Sequence, residues 1–245
     1  MSGAAPTRAM VLAAGEGRRM RPITDKLPKP LVAPGGRSLI ERSLDRLEEA
    51  GVEQVVVNLY HLGEQIEAKL AARESPAIAS SREAALLDTG GGVKQALPQL
   101  GAEPFYLVNG DSLWLNGCAP ALGRLAAAWD DERMDALLLL HPTAYAPTYR
   151  GVGDFNLSPD GIVRRRRERE VAPFVFTGVQ MLHPRLFEDA PEGAFSMNRL
   201  YDEAAKEGRL RGLRHDGEWF EIGTVEALDN VEIYLRFAEP LSVHR

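Results

Sequence analysis

The sequence predicts an α/β fold of three layers, in which helices cover both faces of a predominantly parallel mixed sheet. Short apolar segments such as residues 54–58 (QVVVN) alternate with segments in which apolar residues recur every three or four positions. The first pattern is typical of strands buried on both faces, and the second of amphipathic helices. Strand–helix units that repeat in this way predict parallel strands, because each helix carries the chain back to the same edge of the sheet.

The predicted elements of the first half follow this alternation. Residues 38–50 show the helical period most clearly, and Gly51 ends that helix. Pro22, Pro28 and Pro30 exclude a long helix directly after the first strand. The strands of this half are predicted at residues 8–14, 54–58, 105–109 and 135–140, and the helices at 38–50, 64–72, 119–129 and from glycines 90–92 toward Pro98.

The second half is predicted to be a smaller α+β lobe. Turn residues 158–161 (SPDG) separate short strands, and residues 174–181 form a long strand through the core. Ser196 is placed as the N-cap of a helix over 196–208, and a helix over 224–237 closes the chain. Asp216-Gly217 predicts a hairpin between strands 209–215 and 218–222. We predict one domain over residues 1–245, with lobes of about 1–145 and 146–245.

The composition excludes several classes of protein. The chain has 29 Lys and Arg against 35 Asp and Glu, a net charge of −6, which argues against a nucleic-acid partner. The arginine run 164–167 with Arg169 is interrupted by acids and is expected to be a solvated edge, or to draw an anionic substrate toward the protein. No apolar run spans a bilayer, no secretory signal is apparent, and the single Cys118 forms no intrachain disulfide. We therefore expect a soluble cytoplasmic protein without a membrane partner.

The segment after the first strand is a long cationic loop with two glycines. It carries Gly15 and Gly17, which let backbone N–H groups approach phosphates closely. It is not a dinucleotide fingerprint, since Met20 stands where the third glycine belongs and strand 54–58 ends in Asn58 rather than an acid. No GxxxxGK[ST] sequence occurs, which excludes a P-loop. The cations of the loop are Arg18, Arg19, Arg21, Lys26 and Lys29.

This loop suits a triphosphate ligand, although a solvated basic loop is the alternative. Phosphoryl and nucleotidyl transfer require cations on the non-bridging oxygens and in-line positioning. The Arg19 fork can bridge two phosphate oxygens, and Lys29, held between two prolines, offers a point charge of fixed direction.

The ordered motifs LAAGxGxRMxPxT and PKPL in residues 12–31 resemble the signature of the sugar-1-phosphate nucleotidyltransferases. Within that family, further blocks along nearly the whole chain are similar to those of the bacterial N-acetylmuramate α-1-phosphate uridylyltransferases of cell-wall recycling. These blocks are residues 87–92 (LDTGGG), 105–114 (FYLVNGDSLW), 153–155 (GDF), 176–187 (FTGVQMLHPRLF), 193–195 (GAF) and 219–224 (WFEIGT).

The resemblance implies a Rossmann-like nucleotidyltransferase fold of the GT-A-like type, with a nucleotide-binding lobe over about 1–145 and a sugar-binding lobe over about 146–245. It implies catalytic roles for Arg19 and Lys29 and Mg²⁺ as the cofactor, held by Asp111 and Glu221. The residues expected at the nucleotide are Leu12, Ala13, Ala14, Gly15, Gly17, Gly90, Gly91 and Asn109. Those expected at the sugar are Gly153, Asp154, Thr177, Gly178 and Asn198.

Two of these positions have a second interpretation from the residues alone. Asp111 follows a buried strand at its carboxyl end, where open α/β sheets bind ligands, but an Asp there also caps turns or helices. Gly90 to Gly92 either present backbone N–H groups to a ligand or permit tight packing.

Glu221 stands where the family motif has Asp. Its extra methylene leaves open a direct or a water-mediated contact with the metal.

The expected reaction joins an NTP and a sugar-1-phosphate to give an NDP-sugar and pyrophosphate. The favoured substrates are UTP and N-acetylmuramate α-1-phosphate. The alternatives are a mannose-1-phosphate guanylyltransferase, a glucose-1-phosphate uridylyl- or thymidylyltransferase, and a catalytically weak nucleotide sensor suggested by Glu221. A glycosyltransferase is disfavoured, because residues 109–111 are Asn-Gly-Asp instead of Asp-x-Asp. The protein is expected to be a monomer or a small homo-oligomer.

Overall fold

The computed structural model describes residues 5–238. The strands of that range are β1 (Arg8–Leu12), β2 (Gln54–Leu59), β3 (Ala77–Arg82), β4 (Phe105–Asn109), β5 (Ser112–Leu115), β6 (Ala136–Pro142), β7 (Phe155–Leu157), β8 (Val163–Arg165), β9 (Phe174–Leu182), β10 (Leu210–Arg214) and β11 (Glu218–Glu221). The main sheet has the order β10-β6-β9-β4-β1-β2-β3, and the β7–β8 hairpin joins it through β9. Strands β5 and β11 form a separate antiparallel pair.

Strand direction decides which residues meet at one edge of the main sheet. The pairs β1–β2, β1–β4, β2–β3 and β6–β10 are parallel, whereas β9 is antiparallel to both β4 and β6. The carboxyl ends of β1, β2, β4 and β6 therefore meet the start of β9 at one edge. This arrangement confirms the predicted α/β fold with a predominantly parallel mixed sheet.

Helices cover both faces of this sheet and give the three predicted layers. Their bounds are α1 (Leu39–Glu49), α2 (Gly63–Leu70), α3 (Asp88–Leu100), α4 (Ala121–Ala128), α5 (Met197–Lys206) and α6 (Val225–Ala238). One face of the sheet packs against α1, α2 and α4, and the other against α3 and α5. Within residues 5–238, every helix falls short of the length and apolar character needed to cross a bilayer.

Helix α1 shows how local sequence fixes an element. The Ser38 hydroxyl accepts the Glu41 N–H while the Glu41 carboxylate accepts the Ser38 N–H, so each side chain satisfies a donor that the helix leaves unpaired. The predicted apolar face is buried. The predicted N-cap of α5 is confirmed as well, since the Ser196 hydroxyl accepts the Asn198 N–H.

Besides the apolar clusters on the two faces of the main sheet, a third apolar cluster joins the basic loop to β5, β11 and α6. It contains Met20 from the loop, Leu113 from β5, Phe220 and Ile222 around the end of β11, and Leu235 from α6. Met20 is buried and follows Arg19 in the chain, and the buried residues Phe220 and Ile222 flank Glu221. The cluster thereby anchors the backbone from which these two charged side chains extend.

The predicted hairpin around Asp216-Gly217 is wrong. Strand β10 adds to the edge of the main sheet, parallel to β6, whereas β11 pairs antiparallel with β5. The turn is present, but it carries the chain from one sheet to another. Strand β5, which the sequence analysis did not predict, supplies the partner. Pairing with β5 places Phe220 in the third cluster and Trp219 in the core of the main sheet.

Two histidines are buried near the turn at Asp216-Gly217, and their burial predicts that the stability of the fold depends on pH. The rings of His141 and His215 are 5.9 Å apart, and their Nε2 atoms contact backbone carbonyls at Gly217, Leu115 and Glu218. Their Nδ1 atoms have no hydrogen-bond partner among the described residues. Burial lowers the pKa of both imidazoles, so at mildly acidic pH the unfolded chain binds more protons than the folded protein does.

We therefore expect the free energy of unfolding to fall as the pH drops below about 6.5, the ordinary pKa of histidine. Urea unfolding at pH 7.5, 6.5 and 5.5 measures this loss before most carboxylates titrate. An equal free energy at the three pH values would refute the assignment.

Candidate active site

A cavity of about 560 Å³ lies at the carboxyl ends of β1 and β4. Its wall contains most of the residues expected at a nucleotide, namely Leu12, Ala13, Ala14, Gly15, Gly17 and Asn109, together with Arg19, Lys29 and Asp111. Its shape at the loop depends on Gly17, which has a φ of 61° and whose Cβ would lie 2.9 Å from Thr24 Cγ2. The Thr24 hydroxyl donates to the Gly17 carbonyl at 2.9 Å and holds the loop folded back.

A buried polar chain supports the far wall of this first cavity. The Ala13 N–H donates to Asn58 Oδ1 at 2.7 Å, and Asn58 Nδ2 donates to Glu83 Oε1 at 2.7 Å. The second oxygen of Glu83 accepts the Leu87 N–H at 2.9 Å. Asn58 and Glu83 line the cavity. Sequence reasoning missed both as functional residues, although a polar residue that ends a buried strand was a usable signal at Asn58.

The glycine segment at the start of α3 packs closely against residues 193–195. Gly90 and Gly91 are buried beside residues 193–195, outside the cavity wall, and both N–H groups donate to the Phe195 carbonyl, at 2.8 and 3.2 Å. A Cβ on Gly90 would lie 2.3 Å from the Phe195 ring. Both N–H groups are thus used within the fold, as the tight-packing interpretation of these glycines requires, and the contact of Gly90 and Gly91 with a nucleotide stays a prediction. Asp88 and Thr89, the first residues of α3, line the cavity instead.

Two ion pairs lie at the mouth of this cavity. Lys29 Nζ is 2.5 Å from Asp111 Oδ2, and Arg19 Nη1 is 3.2 Å from Glu221 Oε1. The Lys29 side chain is only 11% exposed, whereas that of Arg19 is 69% exposed. Lys29 is therefore a fixed cation, and Arg19 is free to reach a ligand because an exposed pair of this kind is weak.

A second cavity, of about 690 Å³, adjoins the first at these ion pairs. Arg19, Lys29, Asn109 and Asp111 line both cavities. The wall of the second cavity also contains Asp154, Thr177, Gly178 and Glu221, which brings together three of the residues expected at the sugar. A ligand in each cavity would thus meet the other beside Lys29 and Asp111.

The positions of Thr177 and Gly178 on β9 follow from close backbone contacts. The Ser112 hydroxyl and the Trp219 Nε1–H both donate to the Thr177 carbonyl, and the Thr177 hydroxyl donates to the Leu139 carbonyl. Gly178 has a φ of 80°, and its Cβ would lie 2.2 Å from Ser112 Oγ. The hydroxyl and the carbonyl of Thr177 therefore form their hydrogen bonds within the fold. A ligand in the second cavity would contact only the surface of Thr177 that lines that cavity.

The remaining expected sugar residues lie around Asp154. Burial raises the pKa of Asp154 above its ordinary value, although its carboxylate accepts the Phe176 N–H at 2.9 Å. Gly153 lines neither of these two cavities: its φ is 76°, and its Cβ would lie 2.0 Å from the Ala172 carbonyl, so it serves the turn that places Asp154. Asn198 lies in a third cavity, of about 520 Å³, that shares Asp154 and Phe176 with the second.

Asp111 and Glu221 are the residues that could hold a divalent cation here. Both carboxylates line the second cavity, and both offer hard oxygen ligands. Residues 5–238 contain no cluster of three or more His, Cys, Asp or Glu side chains suited to a metal. Mg²⁺ does not require one, because it is usually held by one or two carboxylates together with water and substrate phosphates. The donor set therefore fits a cation that is shared with a bound phosphate.

Comparison with known proteins shows the family of this chain. A model of the MobA-like NTP transferase domain matches residues 9–184. The chain is 42% identical to an N-acetylmuramate α-1-phosphate uridylyltransferase of Caulobacter vibrioides over 91% of this chain and 94% of the relative. It is 36% identical to the protein of that name from Neisseria meningitidis serogroup B over 89% and 94% of the two chains.

The fold has solved counterparts. A crystal structure of UDP-glucose pyrophosphorylase in complex with UDP-glucose superposes with a TM-score of 0.79 at 16% identity, covering 95% of this chain and 99% of the other. That identity supports the shared fold alone. The match to the family model and the identity to the two relatives go further: this chain belongs to the MobA-like NTP transferase family, among the sugar-1-phosphate nucleotidyltransferases.

Proposed function

We propose that the protein is a Mg²⁺-dependent uridylyltransferase that joins UTP and N-acetylmuramate α-1-phosphate into a UDP-sugar and pyrophosphate, in the recycling of cell-wall sugars. The observation that carries the reaction is the meeting of two cavities at the Lys29–Asp111 and Arg19–Glu221 pairs. The choice of substrates rests on the names of the two relatives, each of which is matched over nearly its whole length.

In the proposed reaction an oxygen of the sugar phosphate attacks the α-phosphorus of UTP. A new phosphorus–oxygen bond forms, the bond between the α-phosphorus and its bridging oxygen to the β-phosphate breaks, and pyrophosphate leaves with that electron pair. The second pKa of a phosphate monoester is about 6, so the attacking group is ionised at neutral pH and needs no general base. Catalysis then consists of orienting two anions and neutralising their repulsion.

The ion pairs suit this task because each can exchange partners with the substrates. Lys29 approaches the cavity from a rigid loop, and its ammonium would contact a phosphate oxygen of the nucleotide when Asp111 turns away. Arg19 has the freedom to bind the leaving pyrophosphate with its fork. Asp111 and Glu221 would hold Mg²⁺, which when bound neutralises charge on the reacting phosphates. The wall formed by Asp154 and Thr177 would orient the sugar.

Pyrophosphate release tests this proposal. The protein with Mg²⁺ is incubated with each NTP in turn and with a panel of sugar-1-phosphates, and we expect release with UTP and N-acetylmuramate α-1-phosphate. Release with another pair, such as GTP and mannose-1-phosphate, would retain the reaction and replace the substrates. Tight binding of an NTP without release from any pair would favour the sensor. Glu221→Asp, which restores the acid of the family motif, would then be the next variant to assay.

A further inference from the structure

The arginine run at β8 contains one side chain that differs from its neighbours. Arg164 pairs with Glu170, and Arg165 pairs with Asp202. The guanidinium of Arg166 donates only to the backbone carbonyls of Arg167 and Glu170, at 3.3 and 3.4 Å, and it forms no ion pair with any acid in residues 5–238. It is also half-buried, whereas the other four arginines of the run are exposed.

The backbone holds Arg166 beside the proposed sugar site. Its N–H donates to the Asp154 carbonyl at 2.8 Å, directly after the β7–β8 hairpin ends. Arg166 lines the third cavity, which shares Asp154 and Phe176 with the second. A ligand whose phosphate contacts Lys29 and whose ring lies against Asp154 would therefore direct further substituents toward Arg166.

Asp154 and Glu168 line the same cavity as Arg166, but neither forms an ion pair with its guanidinium. A half-buried guanidinium without an ion pair is suited to a planar anion, because its fork donates two parallel hydrogen bonds to a carboxylate. N-Acetylmuramate differs from N-acetylglucosamine by an ether-linked lactyl group, which adds a carboxylate away from the phosphate. We propose that Arg166 binds a carboxylate on the acceptor sugar and thereby selects acceptors with this second acid. The inference rests on the proposed function and adds its specificity-determining residue.

Arg150 is the competing cation, since it lines the second cavity and also donates only to nearby carbonyls, those of Pro147 and Tyr149. It is exposed, so water competes with any anion it would bind. Arg166 is the stronger candidate because its partial burial strengthens a charge-assisted hydrogen bond.

The test compares two acceptors that differ only in the lactyl group. The values of kcat/KM with UTP are measured for N-acetylmuramate α-1-phosphate and N-acetylglucosamine α-1-phosphate. If turnover of the second is too slow, its inhibition constant against the first gives the same comparison. We expect Arg166→Gln to lower kcat/KM for the muramate about 10- to 100-fold, mainly through KM, and to change the glucosamine value by less than about threefold.

Two controls separate this role from a structural one. Arg167→Gln removes a neighbouring charge outside all three cavities and should leave both values unchanged. Arg166→Lys keeps the charge without the fork, and its kcat/KM for the muramate should lie between those of the wild type and Arg166→Gln. General damage to the loop would lower kcat/KM for both acceptors by the same factor.

Equal effects of Arg166→Gln on the two acceptors, or no effect on either, would overturn the inference while the proposed function stands. A selective loss in Arg150→Gln alone would transfer the role to that residue and overturn the inference as well. Failure of the wild-type protein to use the muramate, with turnover of another sugar-1-phosphate, would instead reject the proposed substrate.

Discussion

Replacing Asp111 by Asn should lower kcat by at least about 10²-fold, with the fold intact. The substitution keeps the size of the side chain and removes the negative charge that pairs with Lys29 at 2.5 Å. In the proposed reaction it removes the ligand that holds Mg²⁺ beside the phosphates. Steady-state kinetics at increasing Mg²⁺ measures the loss, and circular dichroism and thermal unfolding check the fold.

The matched control for this prediction is Asp25→Asn. Asp25 is in the same basic loop, pairs with Arg21 on the surface, and lines none of the three cavities. This variant should keep near-normal turnover. Wild-type activity of Asp111→Asn at saturating Mg²⁺ would remove the metal role from Asp111.

The second large effect is expected on stability, at the opposite edge of the main sheet. Asp135 precedes β6 and is 8% exposed. Its carboxylate accepts two hydrogen bonds from Arg209 and one from Arg185, all at 2.7 Å. Burial alone would raise the pKa of Asp135, but these arginines outweigh it and hold the pKa below its ordinary value.

We expect Asp135→Asn to lower the free energy of unfolding by about 2–4 kcal/mol, because it leaves two partly buried guanidinium groups without their shared charge. Urea unfolding at pH 7 measures the change, and kcat should stay near the wild-type value because the cavities are at the other edge. Glu203→Ala, which removes a partner of the exposed Lys206, should cost less than about 1 kcal/mol. A loss of similar size in both variants would contradict the role of Asp135.

The main sheet was predictable because burial leaves a direct trace in sequence. The apolar segments that became β1, β2, β4, β6 and β9 were found at nearly their observed bounds. Strand β3 was not, because Ala77–Arg82 is a half-exposed edge strand with little apolar pattern. The hairpin error has a related cause: Asp216-Gly217 encodes a turn, but nothing local encodes which sheet the next strand joins.

The candidate site also has residues that could be predicted from the sequence and residues that could not. The cationic loop and Asp111 are local in sequence, and the structure brings them together as the motifs suggested. The chain of Asn58 and Glu83 was missed because it depends on contacts 45 and 25 residues apart. Gly90 and Gly91 have two interpretations in the sequence, because a glycine residue alone does not indicate whether it approaches a nucleotide or packs against a neighbour such as the Phe195 ring.

In the proposed reaction both substrates occupy the adjoining cavities and react directly, without a covalent nucleotidyl-enzyme. Exchange of labelled pyrophosphate into UTP tests it. With Mg²⁺ and without any sugar, we expect no label in UTP, and we expect rapid labelling of UTP once the UDP-sugar is added as the positive control. Labelling of UTP in the absence of any sugar compound would show that a residue of the protein accepts the nucleotidyl group, and would rule out direct transfer between the two substrates.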